Sequence, residues 1–102
     1  MSFITLYVTH PDQETAQSIA EQLLKKKLIA CVNYFPIQSS YRRKGEIAHT
    51  NEIVTLLKTK TENREIVKNE IIKIHPHKTP CIIKFSAEAN DSYEKRIETE
   101  TN

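Results

Sequence analysis

Gly45 is the only glycine in the chain. It stands in RRKGE (42–46), between two runs suited to strands: LIACVNYFPIQSSY (28–41) and EIVTLLKTK (52–60). Both runs are rich in β-branched and aromatic or long apolar residues. A turn flanked by such runs predicts a long β-hairpin, with Gly45 free to take the positive φ that its turn requires. Pro36 has no N–H for a ladder and predicts a bend or bulge in the first arm. The same scarcity of glycine excludes phosphate-cradling loops and dinucleotide fingerprints, where several glycines let backbone N–H groups reach a ligand.

The flanking sequence completes a pattern. FITLYVT (3–9) reads as a first strand, and the HPD that follows stops it. Asp12 predicts an N-cap, with Glu14 in the first turn of the next helix. Ala16, Ile19, Ala20, Leu23 and Leu24 recur at helical spacing. Lys25, Lys26 and Lys27 then close that helix favourably against its dipole. Thr61 predicts the N-cap of a second helix with Ile66, Val67, Ile71 and Ile74 on its apolar side. Pro76 disfavours helical geometry at His75 and ends it. CIIKFSAE (81–88) reads as a last strand, and NDSYEKRIETETN as a short polar C-terminal helix. The order β-α-β-β-α-β predicts an α+β, ferredoxin-like sandwich occupying residues 1–102 as one domain.

Fifteen basic against thirteen acidic residues leave a net charge of +2, too small a bias to imply nucleic acid. No apolar run approaches the roughly 18 residues that a membrane span needs. MSFITLYVTHPD has no basic segment ahead of its short apolar run, which predicts no secretory signal. Cys31 and Cys81 are then expected as free thiols in the cytoplasm, with a disulfide between them as the alternative. Two activities of ferredoxin-like folds can be tested directly. An RNA-binding sheet needs aromatic platforms, and the strand at 52–60 has none. An acylphosphatase-like site needs an arginine-bearing phosphate loop after the first strand, where this chain has THPDQET.

The remaining chemistry concentrates in IKIHPHKTPCII (72–83). His75, His77 and Cys81 are separated by two and four residues, so an extended chain would point all three to one side. That makes them candidate metal ligands. The alternative is a structural corner: a histidine at a helix C-terminus and a cysteine beginning a core strand. Cys31 carries the same two readings, core packing or a soft thiolate for copper or zinc. No nucleophile–base–orienter set is visible beyond a pairing of Cys31 with His75, so no catalytic residues are assigned.

ACVN (30–33), Tyr41 with Lys44-Gly45, Glu52 followed by LLKTK, HPHKTP ahead of an apolar strand, and Tyr93 occur in an order that resembles the CutA divalent-cation tolerance family. The resemblance covers nearly the whole chain. It implies a homotrimer in which each hairpin extends a neighbour's sheet, and an association with tolerance to divalent cations, notably copper, without a catalysed reaction. It points to Cys31 and His75 as metal-site candidates, with His77 and Cys81 behind them. Glu52, Lys58, Tyr41 and Lys44 become candidates for lining a ligand cleft between subunits. The family's trimer also resembles that of the PII signalling proteins, which implies a rival role as a sensor of small anions. A third reading is a scaffold that presents its surface to a protein partner. The chain departs from the family pattern where Arg43 stands in place of a tryptophan, where a second tryptophan is missing near Arg96, and where His77-Lys78 replaces Tyr-Glu.

Overall fold

The structure is a computed structural model that describes residues 3–102. β1 (Phe3–His10), α1 (Gln13–Lys25), β2 (Cys31–Arg43), β3 (Glu46–Lys60), α2 (Arg64–Ile74), β4 (Ile82–Ala87) and α3 (Asp91–Thr99) follow in order. The four strands form one antiparallel sheet in the order β2-β3-β1-β4. This is the split βαβ arrangement expected from the sequence.

Ile4, Leu6 and Val8 project from one face of β1 and pack with Leu57, Ile19, Leu23, Val67 and Ile71 into a single core beneath α1 and α2. Lys26 ties the two helices together through a 2.9 Å ion pair with Glu70. The opposite face of the sheet is open over much of its area. The register places Phe35, Ile83 and Phe85 there, and all three are exposed. α3 covers one end of that face: Tyr93 meets the Phe3 ring edge-on at 6.1 Å, and Ile97 is buried.

The termini of α1 and α2 differ in how far the sequence announces them. Asp12 caps α1 as expected, accepting the Thr15 N–H at 2.7 Å. Thr61 does not cap α2. Residues Thr61–Asn63 form a 3₁₀ turn, and Asn63 stands at the cap without a side-chain cap bond. The Asn63 amide instead donates to Thr59 Oγ1 at 3.1 Å, while Thr59 Oγ1 donates to the Leu28 carbonyl at 2.7 Å. Satisfying that buried carbonyl competes with local capping, and burial raises the cost of leaving it unpaired. Leu24 and Ile66, assigned to apolar faces by spacing, lie at the margins of their stripes and are exposed.

The predicted bulge at Pro36 is absent. The β2–β3 register runs unbroken from Cys31↔Lys58 to Arg43↔Glu46. β2 is the sheet's edge, so Pro36 can sit in the ladder without breaking it. β3 also begins at Glu46, six residues before the expected start. The β1–β3 ladder ends at His10↔Ile53. Pairs from Ile37↔Glu52 to Arg43↔Glu46 therefore form a two-stranded ribbon that leaves the sheet, extending it by about 20 Å. The molecule measures 46 × 24 × 21 Å.

Two lysines occupy the left-handed region. Lys44 (φ 51°) and Gly45 (φ 80°) make the two-residue hairpin turn, whose twist demands positive φ at both positions. Lys27 (φ 57°) ends α1: its N–H bonds the Leu24 carbonyl and the Leu28 N–H bonds the Leu23 carbonyl, a Schellman motif. A side chain is unfavourable at both sites. Lys27→Gly and Lys44→Asn should each raise unfolding free energy by about 0.5–1 kcal/mol in denaturant titration. Gly45→Ala, by contrast, should lower it.

Candidate functional site

The motif at 72–83 folds into a histidine stack, and it recruits a residue that sequence reasoning passed over. α2 stops at Ile74, and His75 turns extended (φ −74°, ψ 137°), as Pro76 requires. Its ring folds back onto β1. Nε2–H donates to the Thr9 carbonyl at 2.8 Å, and the His77 backbone N–H donates to Nδ1 at 3.1 Å. These two bonds fix a neutral imidazole with the proton on Nε2. They also occupy both nitrogens. His77 lies beyond it, ring centroids 4.9 Å apart. His10 also packs against it, ring centroids 5.3 Å apart and ring planes tilted by 31°.

His10 is only 1% exposed. Its Nε2 shares a 2.8 Å hydrogen bond with Thr55 Oγ1, and its Nδ1 is buried without a partner. Burial, and then the neighbouring His75 and His77, hold its pKa down from 6.5 to about 4. Burial likewise lowers that of His75, against the opposing pull of the Thr9 carbonyl. A signal for His10 exists in the sequence. Ile4, Leu6, Val8 and His10 continue one alternation, so His10 belongs to the core face of β1.

The other candidates are dispersed. Cys31 opens β2 level with Lys58 and Thr5, whereas Cys81 precedes Ile82 at the far edge, beside Val8. Three strand spacings and about four residues of ladder separate them, roughly 20 Å. Both are half-buried free thiols. Cys31 does not meet His75, which packs at the Thr9 end of β1. Cys31 opens instead into a groove of about 540 Å³ whose lining includes Leu24, Lys27, Val32, Tyr93 and Arg96. Burial and a contact with the Cys31 thiol raise the Tyr93 phenol above its ordinary pKa.

Glu52 is half-buried at the hairpin root and lines a second groove, of about 420 Å³, with Asp12, Gln13, Pro36, Gln38 and Asn51. Tyr41 and Lys44 lie at the ribbon's tip. Lys58 is about 40 Å from that tip along β3, so Lys44 and Lys58 cannot share a cleft within one chain.

Among the described residues, no three histidine, cysteine, aspartate or glutamate side chains are arranged to hold a metal ion. Display of His75, His77 and Cys81 on one side would require an extended chain through 75–81. His75 instead commits its lone pair and its proton to the backbone.

With this geometry in hand, residues 4–100 match the family model of the CutA1 divalent ion tolerance protein. The chain belongs to the CutA1 family. The CutA protein of Archaeoglobus fulgidus is 43% identical over 77 residues, covering 76% of each chain. That of Pyrococcus horikoshii is 35% identical over 99 residues, covering 96% of this chain and 97% of the relative. Solved CutA1 structures share the fold closely. The Pyrococcus horikoshii crystal structure superposes with a TM-score of 0.94 at 34% identity, over 97% of this chain and 98% of that one. The Archaeoglobus fulgidus structure, of a protein described as a periplasmic divalent cation tolerance protein, gives 0.93 at 35% identity over the whole of both chains. Family membership covers the core, the ribbon and α3 alike.

Proposed function

We propose that this CutA1-family chain works as a homotrimer in divalent-cation tolerance, taking copper or another divalent cation as its ligand without catalytic turnover. The observation that carries the reading is the ribbon from Ile37–Arg43 and Glu46–Glu52. Among the described residues no further strand of the chain pairs with it, and the adjoining open face presents Phe35, Ile83 and Phe85. A two-stranded ribbon is marginal alone in water, and an exposed apolar sheet face invites cover. Association satisfies both. One chain supplies a single soft ligand in a groove, Cys31, so a cation site is completed only across subunits. We place the protein in the reducing cytoplasm, where Cys31 and Cys81, too far apart to pair within one chain, would stay as thiols. The small net charge argues against nucleic acid as a partner. Among the described residues no helix is long and apolar enough to cross a membrane.

The groove beside Glu52 favours a second reading, a trimeric sensor of a small molecule. Native mass spectrometry of the reduced protein, with and without Cu(I), Cu(II) and Zn(II), separates the two. The proposal expects a trimer that takes up an integral number of one metal and loses it in Cys31→Ser. A trimer that stays metal-free at micromolar excess moves the function to the sensor. A monomer overturns both.

A further inference from the structure

The stack of His10, His75 and His77 lies where three parts of the molecule meet. His10 is the last residue of β1, and its partner Ile53 marks the point where the ribbon leaves the sheet. The Thr9 carbonyl receives the His75 Nε2–H, which anchors the end of α2 to the adjacent rung, Thr9↔Val54.

The proton inventory of this junction is tight. Neutral His10 has one polar partner, Thr55 Oγ1, and Nδ1 has none. A second proton would leave a buried N–H donor without an acceptor and place a charge where solvent is excluded. His75 cannot relieve it, because its only lone pair already accepts from the His77 N–H.

The charged and titratable groups around the stack come from each neighbouring element. His75 and His77 stand after α2, and both oppose a charge on His10. Asp12, in the turn before α1, favours one, but its Oδ1 is held by the Thr15 N–H and its influence is the smallest. Glu52, on β3, acts on His75.

We propose that the His10–His75–His77 stack is a proton-operated latch at the root of the hairpin. Neutral, it holds the last rungs of β1 against β3 and the end of α2 against β1. Protonated, His10 leaves its pocket, the rungs Thr9↔Val54 and His10↔Ile53 open, and His75 releases Thr9. The junction between ribbon and sheet is then loosened. The latch needs only the fold of one chain and does not rest on trimer or metal binding.

The test is NMR on the intact protein from pH 7.5 to 4. It follows the imidazole carbons of each histidine together with amide exchange corrected for its intrinsic pH dependence. His10 should titrate well below the ordinary histidine value of about 6.5. As it does, protection at His10, Ile53 and Val54 should fall at least tenfold, while that of Leu57 in mid-strand holds. His10→Gln keeps a polar partner for Thr55 but cannot take the proton, and should retain protection throughout. Equal loss in His10→Gln and the parent chain overturns the latch. So does protonation of His10 in the parent chain with unchanged exchange, an outcome that decides the matter even where the variant does not fold.

Discussion

A chain in which Asn-Gly replaces residues 38–51 is expected to run as a folded monomer. The excision leaves Ile37↔Glu52 as the closing pair, six residues along each strand from Arg43↔Glu46. The shift is even, so side chains keep their faces and the new closing pair is of the same kind as the old. Asn-Gly supplies the positive φ values that such a turn requires. Nothing buried in the core is lost, since Leu57, Ile4, Leu6, Val67 and Ile71 all lie on the sheet side of the cut. Far-UV circular dichroism and a cooperative melt should therefore persist while the mass falls from that of the proposed trimer to that of one chain. If the shortened chain still assembles, the clasp is the open face around Phe35, Ile83 and Phe85, and the ribbon has another purpose.

The second large effect is on stability against pH. The folded-state pKa of His10 is lowered from 6.5 to about 4. Below about pH 6.5 the unfolded chain binds a proton that the folded chain refuses until about pH 4. Stability is thus present in full above 6.5 and falls across that window as pH drops. At 1.36 kcal/mol per unit, the loss amounts to about 3 kcal/mol. Carboxylates act in a different range. Hydrogen bonds to Thr15, Lys68 and Lys26 respectively lower the pKa values of Asp12, Glu65 and Glu70. Their contribution is present above their ordinary values and is lost only as pH falls below about 4.5. Urea titrations at pH 7.5, 6.5, 5.5 and 4.5 should show His10→Gln declining much less than the parent chain, the remaining decline coming from His75, whose pKa burial also lowers. A parent curve that stays flat to pH 5 would mean that His10 titrates normally.

Most of the architecture was legible because its signals are local. The alternation of Ile4, Leu6 and Val8, the Asp12 cap, the spacing of Ile19, Leu23, Val67 and Ile71, and the stop at Pro76 each act within a turn or two. The ribbon was only half visible. Residues 46–51 lie beyond the core, so neither face is selected to be apolar and the period-two pattern fades although the strand continues. Thr61 looked like a cap until the buried Leu28 carbonyl drew Thr59 and Asn63 into another arrangement.

The site divides the same way. The sequence alone determined the order of elements, the single hairpin turn at Gly45, the family resemblance, and that His75 would end a helix. Those rest on steric and hydrogen-bonding preferences between near neighbours, which any window of the chain displays. Only the tertiary structure decided that His75 spends both nitrogens on backbone groups, that Cys31 and Cys81 stand far apart, and that His10, 65 positions upstream of His75, completes the stack. Those contacts cross between strands and helices brought together by burial of the core. Whether a lone pair is free, or a nitrogen has a partner, is set by that packing and leaves no trace in spacing.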